Sequence, residues 1–155
     1  MRQVRTPAEA AAAAERRRQI APGGQAGVDE ALIERQVRTF YGRVREHAVL
    51  GPVFAAHVED WEEHLAKLCD FWSSVLLMTA RFKGSPMAAH ARAGEIEMAH
   101  FPLWLDLWRT TARDVCPPQA AQLFIARAEM IGRSLQMGLA MHRERSAPDA
   151  GAVSG

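Results

Sequence analysis

The sequence predicts an all-α protein, and three observations carry that expectation. Apolar residues recur at three- and four-residue steps, and no segment of convincing length alternates as a half-buried strand would. Alanine, the strongest helix former, supplies 28 of the 155 residues. It also inflates the 48% hydrophobic content, so far fewer side chains are large enough to fill a core.

The elements follow in order. Thr6-Pro7-Ala8-Glu9 reads as a capping box with proline at the first helical position, ahead of an Ala- and Arg-rich stretch. That stretch offers no large apolar stripe, and the Pro22-Gly23-Gly24 run after it reads as a linker, so residues 1–27 are expected to be a flexible extension. Asp29 can cap a helix bearing Ile33, Val37, Phe40, Tyr41 and Val44, which Leu50-Gly51-Pro52-Val53-Phe54 interrupts. A second helix is expected near Asp60, with Trp61, Leu65, Leu68, Phe71, Trp72, Val75 and Leu76 on one wide face. From Arg81 to Gly94 the chain reads as a connector. A third helix holds Phe101, Trp104, Leu105 and Trp108, with Pro102 tolerated in its first turn. Pro117-Pro118 separates it from a fourth, bearing Phe124, Ile125, Ala128, Ile131, Leu135 and Leu139. The domain is expected over 28–145, with a disordered tail over 146–155.

Charge narrows the functional classes. The net charge is +1, but residues 1–24 carry five arginines against Glu9 and Glu15, a balance of +3 that leaves −2 for the rest. A domain of that balance lacks the clustered cationic face that nucleic-acid binding needs, so no nucleic-acid partner is expected. Cys69 and Cys116 have no C-x-x-C spacing, which fits a reducing, cytosolic setting. No 18-residue apolar run and no uninterrupted signal core are present, so no membrane partner is expected either.

Polar residues on apolar faces mark where chemistry could sit. Tyr41 is the single tyrosine and lies on the inward side of its helix beside Phe40. His64, three residues after Trp61 and four before Leu68, shares the inward stripe of the next helix. A buried hydroxyl or imidazole left unpaired costs roughly 1–3 kcal/mol, so each requires a partner. Partners within a core would satisfy both, and a cofactor-free helical interaction module therefore gives the same pattern. His90 lies in the connector, and His47, His57 and His142 fall near helix ends or loops where solvation is expected. Glu97-x-x-His100 is one E-x-x-H where a di-iron bundle needs two. No C-x-x-C-H, G-x-S-x-G, P-loop or G-x-G-x-x-G is present.

Six segments taken together resemble the group III truncated haemoglobins. They are Phe40-Tyr41-x-x-Val44-Arg45, Leu50-Gly51-Pro52-Val53-Phe54, Asp60-Trp61-x-x-His64, Asp70-Phe71-Trp72-Ser73-Ser74-Val75-Leu76-Leu77, Gly84-Ser85-Pro86-Met87-x-x-His90 and His100-Phe101-x-x-Trp104-Leu105-x-Leu107-Trp108. The resemblance runs in order across 30–140, and the chain lacks the domain Gly-Gly pairs of groups I and II. It implies a globin-like, truncated two-over-two helical sandwich holding non-covalent haem b, with His90 as the iron ligand. It makes Tyr41 and Trp104 hydrogen-bond donors to a diatomic ligand, His64 the guard of that side, and Leu68 a wall of the same pocket. Phe54 would pack on the porphyrin edge and Phe82 near the proximal side. The implied function is reversible binding of O2, with NO and CO, at ferrous iron. Redox chemistry on the ligand, NO dioxygenation or peroxide reduction, would draw on a separate reductase, in a cytoplasmic monomer or weak homodimer. Two departures fall in the connector region: Met78 and Ala80 stand where glycines are expected before Arg81, and Ala93-Gly94 where many relatives have prolines.

Overall fold

The computed structural model describes residues 6–82 and 99–146, and the described residues form helices joined by short turns. The helices are α1 (Pro7–Ile20), α2 (Pro22–Gln25), α3 (Glu30–Glu46), α4 (Leu50–His57), α5 (Trp61–Leu77), α6 (His100–Val115) and α7 (Pro118–Ser146). Helices α3 and α5 form one pair, α6 and α7 the other, and α3 packs across α6, which makes the two-over-two sandwich. The expected tail lies outside the described residues from 147 onward.

Local signals set the helix ends. The Thr6 hydroxyl accepts from the Glu9 N–H at 3.2 Å while the Glu9 carboxylate accepts from the Thr6 N–H at 2.8 Å, a complete capping box. Asp29 caps α3 through the Leu32 N–H at 2.8 Å, and Asp60 caps α5 through the Glu63 N–H at 3.2 Å. Pro102 sits in the first turn of α6, where its missing N–H has no intrahelical partner to lose.

Leu50-Gly51-Pro52-Val53-Phe54 ends α3 as expected but is itself helical. The His47 ring accounts for this, since Nδ1 accepts from the Val49 and Leu50 N–H groups, each at 3.1 Å, and so satisfies two orphan donors of α4. That is a structural role where a solvated one was expected. Gly51 has no substitute here, because a Cβ would stand 2.8 Å from the Arg45 carbonyl oxygen.

The core is centred on Trp108, which is 0% exposed. Its indole stacks on Trp72 at 4.8 Å and on Trp104 at 5.7 Å, with interplanar angles of 17° and 7°. Phe40 meets it edge-on at 4.9 Å, and its N–H donates to the Phe124 carbonyl at 3.1 Å. One tryptophan thus joins α3, α5, α6 and α7. Gln36 is fully buried, and its amide donates to the Trp108 carbonyl at 3.5 Å. On the outside, Arg38 grips Glu62 with both terminal guanidinium nitrogens, at 3.2 and 3.0 Å, tying α3 to α5.

Residues 6–27 differ from the expected flexible extension. α1 and α2 pack on α5, α2 also touches α7, and Ala13, Ala21 and Val28 are buried. The absence of large side chains makes this docking achievable rather than preventing it. At Gly23 the backbone comes so close to α5 that a Cβ would lie 2.6 Å from the Leu76 carbonyl oxygen.

The end of α5 carries strain. Met78 (φ 57°, ψ 36°) and Ala80 (φ 57°) are left-handed without being glycine. Each such residue costs roughly 1–2 kcal/mol.

Gly23→Ala is expected to lower unfolding stability by about 1–3 kcal/mol, because the new methyl meets backbone that cannot move aside. Gly42→Ala, whose Cβ meets nothing within 4 Å on the exposed side of α3, is expected to raise it by roughly 0.5–1 kcal/mol. Urea denaturation of both checks the pair, and a neutral Gly23→Ala contradicts the α2–α5 contact.

Candidate functional site

Two of the polar residues singled out in the sequence, Tyr41 and His64, meet at one end of the sandwich. Tyr41 is nearly buried on α3, with its ring edge-on to His64 of α5 at 5.5 Å and to Phe54 of α4 at 5.7 Å. Trp61, one turn before His64, completes the group at 6.1 Å from Tyr41 and 5.7 Å from His64. On the far side the Trp104 indole lies close enough to favour the ionised phenol as a donor. Because an indole only donates, the Tyr41 oxygen can meet it only as an acceptor, which leaves the phenol its own O–H. Burial pushes the Tyr41 pKa well above its ordinary value, and the Trp104 bond opposes this in part. The group therefore holds a protonated phenol among aromatic rings at any physiological pH.

His64 turns its ring toward Tyr41 rather than toward solvent. Trp61, His64, Leu68 and Phe71 follow one another at helical spacing along α5, so the polar cluster continues into an apolar stripe. Phe82 stands at its far end, edge-on to Phe71 at 5.3 Å, and is not part of the Tyr41 cluster. His90 lies outside the described residues, as do Ala93-Gly94 and the Glu97 half of the E-x-x-H; so does the side chain of His142.

Two residues of the cluster were not singled out from sequence as site residues. Trp61 was assigned only to the apolar face, although its three-residue offset from His64 is the signal that joins them. Arg45 lies over the Trp61 ring at 4.9 Å, a cation–π contact across the α3–α5 junction that no local pattern encodes.

The cysteines take no part. Burial pushes the Cys69 thiol up to about 11, with Glu34 adding to the shift, and burial likewise pushes Cys116 up to about 11, so both are protonated at neutral pH. A half-open cavity of about 450 Å³ lies where α6 gives way to α7, lined by Arg113, Cys116, Ile125 and Glu129, and holds none of the residues of the Tyr41 cluster.

The described helices make a globin-like, truncated two-over-two sandwich, with a tyrosine and a histidine meeting inside an aromatic wall at one end of it. No family model matches the chain. It is 28% identical over 113 residues to a group 3 truncated haemoglobin of Campylobacter jejuni, a match covering 70% of this chain and 89% of that protein. The crystal structure of a group III truncated haemoglobin from the same organism superposes with a TM-score of 0.69 at 28% identity, over 72% of this chain and 91% of that one. In sequence and in fold the chain is a homologue of the group III truncated haemoglobins, the family its motifs resemble. No helix among the described residues is long and apolar enough to cross a membrane.

Tyr41 is the only tyrosine, so phenolate absorbance reports on it alone. Its midpoint is expected above the ordinary ~10 in the folded protein and at ~10 once unfolded. A folded-state pKa raised in this way contributes stability that is fully present below pH ~10 and lost as pH rises through the folded value. The alkaline loss of stability is accordingly expected to be smaller in Tyr41→Phe, and an ordinary midpoint in the native protein contradicts the enclosure.

Proposed function

We propose that this chain is a haem b protein that binds O2, and also NO and CO, at ferrous iron. The observation that carries the reading is the convergence of Tyr41, Trp104 and His64 inside an otherwise aromatic wall, in a homologue of truncated haemoglobins. These residues fit the group. The Trp61-His64-Leu68-Phe71 stripe, with Phe54 and Phe82 at its ends, offers an apolar bed for a flat ring system, and the polar atoms collect at one end of it. Haem, when bound, supplies the iron that takes up the diatomic ligand and exchanges electrons. His90 is the residue assigned to hold that iron, as a neutral imidazole, and the lack of a C-x-x-C-H motif favours non-covalent attachment.

The chain's own groups then act on the ligand. Trp104 fixes the orientation of the Tyr41 phenol by donating to its oxygen, which aims the remaining O–H outward. Donors held in place within a dry wall stabilise charge on a ligand without reorganising as it develops. His64, edge-on to Tyr41, stands where it can add a second donor or bar the approach. Such donation slows ligand release and favours redox chemistry on the held ligand, NO dioxygenation or peroxide reduction, over bulk transport. Electrons for turnover would come from a separate reductase in the cytoplasm.

Protein produced with haem available is expected to show a Soret band; a chain without one is the cofactor-free interaction module instead. His90→Gly is expected to lose haem or to retain it only with added imidazole, and normal retention overturns the proximal assignment. Tyr41→Phe is expected to speed O2 dissociation by more than tenfold, the change about 1.4 kcal/mol would make. An unchanged stopped-flow rate moves that role to Trp104 or His64.

A further inference from the structure

Two residues of α3 and two of α5 interlock at the edge of the site. Tyr41 and Arg45 stand one turn apart on α3, and Trp61 and His64 one turn apart on α5, so each pair shares a face of its helix. Across the junction the Tyr41 ring meets His64 at 5.5 Å, and the Arg45 guanidinium lies 4.9 Å from the centre of the Trp61 ring. His64 therefore has a ring on two sides, Tyr41 at 89° to it and Trp61 at 87°, the second 5.7 Å away. It cannot turn from Tyr41 without changing its contact with Trp61. A helical side chain leans over the turn that precedes it, and Trp61, as the first residue of α5, has no such turn to brace its indole. The main chain around it is held independently, since Asp60 caps the helix and Arg38 grips Glu62. Arg45, itself exposed, thus bears on the indole and not on the helix.

We propose that Arg45 is a positioning residue: by seating the Trp61 indole it keeps His64 turned toward Tyr41, and so regulates how readily a diatomic ligand enters the site. The regulatory role rests on the haem reading above, whereas the seating of His64 stands on the four side chains alone. With the guanidinium in place the inward orientation of His64 is favoured; without it the indole is released, and His64 turns outward more often. An exposed cation–π contact shifts a balance of this kind about two- to fivefold, enough to slow entry without sealing the site. Arg45 acts through Trp61 and not on the ligand, so its effect exists only while His64 is there to be held.

The test uses the full chain with haem bound and carbon monoxide as the probe. Arg45→Ala is expected to speed CO association after flash photolysis by about two- to fivefold and to weaken the nuclear Overhauser effect between the His64 and Tyr41 rings. Arg45→Lys, which keeps a cation for the indole, is expected to stay near the parent in both. In a His64→Ala chain, Arg45→Ala is expected to change the association rate no further, because the two substitutions act through one contact. An unchanged rate in Arg45→Ala overturns the proposal, as does an equal acceleration in the His64→Ala chain, which would mark a general loosening. A lysine variant as fast as the alanine variant, or an Overhauser effect that survives Arg45→Ala, overturns it too. A parent chain that takes up no haem is a separate result: it removes the proposed function and the control of ligand entry with it. The Overhauser effect in that chain still decides whether Arg45 seats His64.

Discussion

The stacking of Trp104 on Trp108 is the interaction on which the site depends. Trp108 is enclosed by Trp72, Phe40 and Phe124 and tethered through its N–H to a carbonyl of α7, so it can neither tilt nor slide without disturbing four helices. Trp104, nearly parallel to it, inherits that rigidity while remaining half-exposed at the site end. Its indole stands beside the Tyr41 phenol, where it can meet the oxygen only as a donor. The core therefore fixes the place of a polar group through an aromatic stack and an indole–phenol neighbour. A buried hydroxyl held beside such a donor costs less to keep in place than one facing only apolar groups.

Close approach is the second constraint. The chain is short, and it compensates by bringing backbones together where side chains are absent. Gly51 lets α4 fold back on the end of α3, which carries Phe54 to Tyr41. Gly23 lets α2 lie on α5 beside Leu76. α5 thus receives contacts along its length: Tyr41 at its start, Trp108 against Trp72 at its middle, and, near its end, α2 together with the bonds of Ser73 to Glu30 and of Ser74 to the Phe82 N–H. The helix that carries His64 and Leu68 is thus held at several points, which suits the flat apolar ligand proposed for that surface.

Features with a local cause were legible in the sequence. Caps at Thr6, Asp29 and Asp60, the prolines of first turns and the apolar period each act within one or two helical turns, and α1, α3 and α5 start where such a cap stands. Tyr41 and His64 stand out because a polar atom on an apolar face must find a partner, whereas Trp104 enters only through the family resemblance; the structure sets Tyr41 beside both. The docking of α1 and α2 was not legible, since an Ala- and Gly-rich stretch carries no stripe and its complement is the shape of another helix. Nor could local pattern show that His47 caps α4 or that Arg45 covers Trp61, because both depend on where α3 ends relative to the next two helices.

By itself, then, the sequence determined the all-α class, the extents of the main helices and the polar residues that apolar faces must enclose, because periodicity, capping and burial cost are properties of neighbouring residues. Only the tertiary structure decided that Trp104 comes beside the Tyr41 phenol, that His64 faces inward, and that Met78 and Ala80 take left-handed conformations. Those outcomes are fixed by through-space contacts between residues far apart in the chain, from Tyr41 to Trp104 and from Glu30 to Ser73, and no spacing along the chain contains them.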